Sequence, residues 1–185
     1  MKILLICDKK SVDNQIGMYK ALLGMLGKHD VEHITLSNAE ILPCMGCFDC
    51  WLKTPGRCII TGDAANSIVA KIVAADAVIL LSEITFGGFS ADTKSLVDRI
   101  VQTCLPYFEI DNNEMHHVPR YDSFPAWIAI GYGDACEAEK QTFVRLAKRN
   151  ALNFHPKSYF ALAILDEQEL ARNGNAILEA LEVTA

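Results

Sequence analysis

Residues 77–101 read AVILLSEITFGGFSADTKSLVDRIV. The opening run Ala77-Val78-Ile79-Leu80-Leu81 has no polar break, the pattern of a strand covered on both faces. A loop containing Gly87-Gly88 follows, where backbone can approach a ligand closely. Ser90 then stands as an N-cap ahead of Leu96, Val97, Ile100, Val101 and Cys104, which repeat at helical spacing. Strand, glycine loop and capped helix in that order form one unit of a parallel α/β sheet.

The unit recurs on both sides. Ile3 to Ile6 is a second continuous apolar run, and Val31 to Leu36 a less apolar one expected nearer an edge. Trp127 to Ile130 and Tyr159 to Leu165 complete five strands. Helical faces lie between them: Ile16, Tyr19, Leu22, Leu23 and Leu26, stopped at Gly27; Ile68, Val69, Ile72 and Val73, with Asp63 as N-cap; Phe143, Leu146, Ala147 and Asn150; and a closing helix over Ala176 to Val183. The expectation is a single α/β domain spanning 1–185, three layers, doubly wound, with a five-stranded parallel sheet in the order 2-1-3-4-5. A cysteine-rich loop (43–62) and a long irregular loop (105–125) interrupt the alternation. Ligands in such folds bind at the C-terminal ends of the strands. That rule predicts that Asp8 to Gln15, the cysteine loop, Ser82 to Ser90 and Gly131 to Glu137 meet at one edge of the sheet.

Composition narrows the function classes. The chain has 185 residues, 51% hydrophobic and 22% charged, as for one ordinary globular domain. A net charge of −6 argues against a nucleic-acid footprint. No apolar run reaches transmembrane length, and Ile3 to Ile6 is too short for a signal peptide. The expected location is therefore cytoplasmic, away from membranes, where thiols stay reduced. Seven cysteines, an odd number, fit a closed disulfide framework poorly.

Four of the seven fall within residues 44–58, CMGCFDCWLKTPGRC, spaced Cys44-x2-Cys47-x2-Cys50-x7-Cys58. Two-residue gaps let three thiolates of one loop reach three corners of an iron-sulfur cubane. Gly46 permits the tight turn between the first two, and Pro55-Gly56 reads as the turn that returns Cys58 as a fourth ligand. A structural zinc prefers well-separated Cys-x2-Cys knuckles, which this is not. Unliganded lid thiols remain the competing reading. Phe48 and Trp51 interleave with the cysteines, either to exclude water from a cluster or to pack on a neighbouring subunit. Cys7, Cys104 and Cys136 read as small fillers, with Cys136 near the start of a helix. For His116-His117 and Arg120 a solvated loop competes with a substrate or cofactor contact. His29, His33 and His155 show no partner in the sequence, and Lys148-Arg149 reads as a solvated helix face.

Phe86-Gly87, Ser90, Lys94 and Asp98-Arg99 resemble the second flavin loop of the flavodoxin-like NAD(P)H-dependent FMN reductases, with Glu83 where proline is usual. Gly131-Tyr132-Gly133-Asp134 resembles their third flavin loop, and the cysteine run resembles the motif of the iron-sulfur flavoprotein branch. The resemblance implies an FMN-dependent oxidoreductase or electron carrier with a [4Fe-4S] cluster on Cys44, Cys47, Cys50 and Cys58. It implies flavin contacts from Thr85, Phe86, Gly87, Gly88, Ser90, Gly131, Tyr132 and Gly133, and a homodimer or homotetramer with the active site at the subunit interface. It further implies a redox partner or small-molecule acceptor, with NAD(P)H as a candidate donor. The phosphate loop departs from the family: Cys7 to Asn14 carries no glycine. Lys9, Lys10, Ser11 and Asn14 are the groups left to hold a phosphate at the helix N-terminus, against the charges of Asp8 and Asp13. Two alternatives stand beside this reading: a cluster-free FMN or quinone reductase, and a non-enzymatic redox- or metal-sensing module that has lost FMN. No catalytic acid or base is predicted.

Overall fold

A computed structural model describes residues 1–9, 16–36 and 41–182. Five parallel strands form the central sheet: β1 (Lys2–Cys7), β2 (Asp30–Thr35), β3 (Ala77–Glu83), β6 (Ala126–Tyr132) and β7 (Tyr159–Ile164). Their order is β2-β1-β3-β6-β7, which is the expected 2-1-3-4-5 when the parallel strands are counted alone. The burial follows the strand sequences. β3 and β6, central in the sheet, are buried almost throughout, while β2, with Asp30, Glu32 and His33, lies at the edge.

Two apolar cores sandwich the sheet. On one face Met18 and Leu22 of α1 (Ile16–Met25), with Leu26 just beyond its end, pack with Leu170 of α6 (Glu167–Arg172) and with Ile177 and Leu181 of α7 (Gly174–Glu182). On the other, Ile68 and Ile72 of α3 (Ala65–Ala74) and Leu96 and Val97 of α4 (Ala91–Arg99) meet Phe143, Ala147 and Phe154 of α5 (Glu137–Phe154). The side chains that point up from the strands alternate between the two cores, Leu4 and Ile6 into one, Ile3 and Leu5 into the other.

Three local expectations change, and one helix is added. Residues 105–125 are not an irregular loop: β4 (Cys104–Asp111) and β5 (Glu114–Pro119) form an antiparallel hairpin outside the main sheet. Its turn is Asn112-Asn113, at φ 50° and 64°, and asparagine tolerates the left-handed region that a two-residue hairpin turn requires. Helix α3 begins at Ala65 with Ala64 as its cap residue; Asp63 accepts from the Ala65 N–H at 3.1 Å, but its main partner is a buried arginine. The closing helix expected over Ala176 to Val183 is present as α7, and a further short helix, α6, precedes it, with Asp166 capping α6 through the N–H groups of Gln168 and Glu169. Arg149 is no bystander on a solvated face, since it reaches Glu114 of the hairpin at 2.6 Å.

Candidate functional site

At the C-terminal edge of the sheet Asp8 meets the segments that follow β3 and β6; of Asp8 to Gln15 only Asp8 and Lys9 are among the described residues. The end of β1 is tied to its neighbours by a buried carboxylate: Asp8 accepts from the Glu83 N–H at 2.6 Å and from the Tyr132 hydroxyl at 2.8 Å. Asp8 is thus enclosed by the strand ends rather than facing a bound anion in the open. Burial, with the adjacent Asp8 charge, pushes the Tyr132 phenol well above its ordinary range.

Beyond β3 the chain makes a tight turn. Thr85 and Gly88 exchange both backbone hydrogen bonds, at 3.0 and 2.9 Å. Phe86 and Gly87 occupy the turn at φ 50° and 75°. A phenylalanine in the left-handed region is unusual, and this one is 94% exposed. The turn uses the N–H groups of Thr85 and Gly88. Gly87 is also required for packing, because a Cβ there would lie 2.9 Å from the Thr142 Cβ of α5.

Other predicted contact residues also have partners within the fold. Ser90 caps α4 through the Thr93 N–H and is held by Ser82, whose hydroxyl oxygen accepts from the Ser90 N–H at 2.9 Å. Lys94 pairs with Asp98 on the helix surface. Gly131 sits inside β6, where a Cβ would come within 2.7 Å of both Ile84 and Phe143. Tyr132 is buried on Asp8, and the Gly133 N–H is spent on the Ile164 carbonyl at 3.2 Å. Lys9 is exposed; Lys10, Ser11 and Asn14 lie outside the described residues.

The cysteine loop goes elsewhere. It leaves β2 at the C-terminal edge but runs over the helical layer to the C-terminal ends of α4 and α5. There Cys44, Cys47, Cys50 and Cys58 line one cavity of about 480 Å³ with Arg99, Gln102, Cys104, His117, Asn150 and Asn153. The turn Thr85–Gly88 touches α5 at Thr142, whereas the cavity touches it at Asn150 and Asn153. At 1.5 Å rise per residue the two places are on the order of 12–17 Å apart along the helix. The expectation that this loop joins the other three is therefore corrected. The loop is too long for its strand-end anchor to dictate where its thiols finish.

Arg99 decides where they finish. Its guanidinium is buried and donates to the Leu42 carbonyl at 2.8 Å and the Ile60 carbonyl at 3.1 Å, one on each side of the cysteine run. The same group pairs with buried Asp63 at 2.8 Å. Burial raises the Asp63 carboxyl, but hydrogen bonds from Arg99 and from the Leu42 and Ala65 N–H groups outweigh it and hold the group below the usual carboxylate range. Cys58 is fixed separately: Asn66 accepts from its N–H at 3.0 Å and donates to its carbonyl at 2.9 Å. Gly46 at φ 66° and Phe48 at φ 58° bend the loop between the first three cysteines. Gly56 at φ 80° donates to the Cys50 carbonyl at 3.0 Å, the return turn expected at Pro55-Gly56.

An aromatic strip closes the outer side. Phe108 meets His117 at 4.4 Å between centroids, His117 meets Trp51 at 4.8 Å, and Trp51 stacks on Phe48 at 4.9 Å. Trp51 also donates to the Val101 carbonyl at 3.3 Å. The hairpin that carries His117 is pinned to α5 through His116, whose ring nitrogens lie 3.0 Å from Asn153 and 3.2 Å from Glu114. Arg120 is taken up by the carbonyls of Gln102 and Cys104 at 3.0 and 3.2 Å. His155 reaches the His117 carbonyl at 2.9 Å, and His33 lies against Tyr19. Cys136 caps α5, and buried Cys104 is a fifth thiol in the cavity wall, more than a filler.

All seven cysteines are free thiols. Burial pushes the Cys50 thiol up, and the nearness of Cys58, Cys44 and Cys47 adds to it. Thiols whose ionised forms repel one another are donors of the kind that soft metal centres take. Among the described residues, no three His, Cys, Asp or Glu side chains converge on a point the size of a single ion. Ligands to separate irons of a cubane do not need to converge in that way.

A family model for NADPH-dependent FMN reductases matches residues 1–136. The chain belongs to the NADPH-dependent FMN reductase family. Its matches to individual proteins are partial. An iron-sulfur flavoprotein of Methanocaldococcus jannaschii is 43% identical over 70 residues, 38% of this chain and 35% of that one. An iron-sulfur flavoprotein of Methanosarcina thermophila is 30% identical over 83 residues, 45% of this chain and 42% of that one. The aligned stretch thus spans less than half the length of either relative. Solved structures share the fold at low identity. An azoreductase of Bacillus anthracis has TM-score 0.62 at 14% identity, covering 100% of this chain and 98% of its own. General stress protein 14 of Treponema denticola, in complex with FMN, has TM-score 0.58 at 11% identity and full coverage of both chains. In this FMN reductase family member, the Phe86-Gly87 turn follows β3 and presents an exposed aromatic ring. No helix among the described residues is long and apolar enough to cross a membrane.

Proposed function

We propose that this chain is an FMN-dependent oxidoreductase of the iron-sulfur flavoprotein kind, with a [4Fe-4S] cluster held by Cys44, Cys47, Cys50 and Cys58. The observation that carries the reading is the meeting of all four motif thiols in one cavity, at the end of a loop stapled by Arg99. When bound, a cluster exchanges single electrons and FMN one or two, the chemistry of an electron-transfer oxidoreductase. The chain's own part is to hold and shield. Arg99 and Asn66 fix the loop ends, Phe48 and Trp51 exclude water, and the Phe86-Gly87 turn offers backbone donors. No side chain is assigned as a general acid or base. NAD(P)H and a small-molecule acceptor are the proposed reaction partners, and the cytoplasm the proposed location.

A homodimer is part of the same proposal. Phe108, Ile110 and Met115 share one face of the hairpin and are 62%, 69% and 67% exposed. Met45, Phe48 and Leu52 of the cysteine loop are exposed as well. A patch of this kind on a two-stranded ribbon is suited to burial against a second copy. Because cavity and flavin turn lie at opposite ends of α5, such an interface would run beside the cavity.

The test is purification without oxygen, followed by absorption, iron and flavin assays. About four irons and one FMN per chain are expected. Serine at Cys44, Cys47, Cys50 or Cys58 lowers the iron, and Cys136→Ser leaves it unchanged. Yellow protein without iron would replace this reading by the cluster-free reductase.

A further inference from the structure

The cavity wall carries idle hydrogen-bond donors. Among the described residues, four buried side-chain nitrogens have no partner: Arg99 Nε, His117 Nδ1, Asn150 Nδ2 and Trp127 Nε1. Three of the four belong to residues lining the cysteine cavity. Other polar groups of the same wall are in use. Gln102 accepts from the Cys58 N–H and donates to the Arg99 carbonyl at 2.9 Å. Asn153 is engaged by His116 and donates to the Arg149 carbonyl at 3.2 Å. Unpaired buried donors are rare because each forfeits its hydration without return. Here three of them belong to residues that share the cavity wall with four cysteines. Sulfur is a weak acceptor when neutral and a better one when it carries the negative charge of a thiolate or cluster.

We infer that His117 Nδ1–H, Asn150 Nδ2–H and Arg99 Nε–H donate hydrogen bonds to the sulfur atoms of the centre held by the four cysteines, and so raise its reduction potential. The inference rests on the cluster reading above. A reduced centre carries one more negative charge than the oxidised one, so donors aimed at its sulfur favour the reduced state. His117 is placed for this by geometry rather than by chance of a loop. Phe108 and Trp51 hold its ring on both sides, and its carbonyl is tied down by His155. Asn150 reaches the wall from the last turns of α5, a rigid support. These residues position and tune; they do not react.

The test is a redox titration of the cluster in wild type, His117→Phe, Asn150→Leu and the double variant, with iron counted in each. Phenylalanine keeps the ring between Trp51 and Phe108 and removes only the nitrogens. Each single variant is expected to shift the reduction equilibrium at least threefold toward the oxidised form. The double variant should shift it at least tenfold, 59 mV for one electron. Iron-loaded variants that titrate like wild type would overturn the inference while leaving the cluster reading intact. Wild type without iron would overturn both. Resonance Raman spectra of wild type in heavy water do not depend on any variant folding. A shift of the iron-sulfur stretches on exchange supports N–H···S bonding, and unshifted stretches refute it.

Discussion

Replacing Arg99 by methionine keeps an unbranched side chain and removes the guanidinium. The loss is larger than one ion pair. Asp63, with its side chain 2% exposed, keeps its charge without a cation, and the carbonyls of Leu42 and Ile60 lose their donors. Removing one partner of a buried pair costs about 3–5 kcal/mol, because the other charge is left uncompensated. Domains of this kind have about 5–15 kcal/mol in all. Urea unfolding of the purified chain should therefore show a strongly lowered midpoint at unchanged slope. Asp63→Asn in the same background should cost little more, since the charge it removes is already unpaired. The loop should also loosen on its own. Trypsin should cut at exposed Lys53 or Arg57 much faster than in wild type. Acid has the same effect on the wild-type clamp. Asp63 is held below its ordinary value, so its contribution is complete above the unfolded carboxylate pKa, about 3.9, and fades as pH falls through the lower folded value. Arg99→Met within about 1 kcal/mol of wild type, or losses at Asp63 and Arg99 that simply add, would refute the clamp.

Tyr132→Phe should lower stability by about 1.5–3 kcal/mol at neutral pH, because Asp8 loses a charge-assisted bond. The unfolded phenol titrates near 10 and the folded one above it, so wild type alone should lose this margin as pH rises past about 10, read by urea unfolding along a pH series. Gly87→Ala puts a side chain at φ +75° against Thr142, costs about 1–2 kcal/mol from the backbone alone and should reduce bound flavin per chain. Phe86→Ala, at a side chain already 94% exposed, should leave the melting temperature unchanged and lower flavin retention. Ile110→Glu with Met115→Lys should convert a dimer to monomer in sedimentation without lowering the melting temperature of the monomer; an unchanged sedimentation coefficient would remove the hairpin face from the interface.

Sequence alone determined the parts that depend on period and local chemistry. Continuous apolar runs at Ile3 to Ile6 and Ala77 to Leu81 can only be satisfied between two helical layers, and the polar character of Val31 to Leu36 could only suit an edge. Ser90, Gly46 and the Pro55-Gly56 turn were readable because capping and positive φ select residue types within a few positions. The Asn112-Asn113 turn carried the same kind of signal, and reading it would have disclosed the hairpin in residues 105–125. What the tertiary structure decided is everything that joins distant residues. Arg99 is far along the chain from Leu42, Ile60 and Asp63, and only their meeting shows that an apparent helix cap is half of a buried clamp. Asp8 looked like a charge opposing a phosphate until Tyr132 and Glu83 were seen to enclose it. The cysteine spacing marked the four thiols as one group, a property of one loop. Its position at the far end of α4 and α5, with His117 and Asn150 beside it, depends on long-range partners that no local pattern encodes.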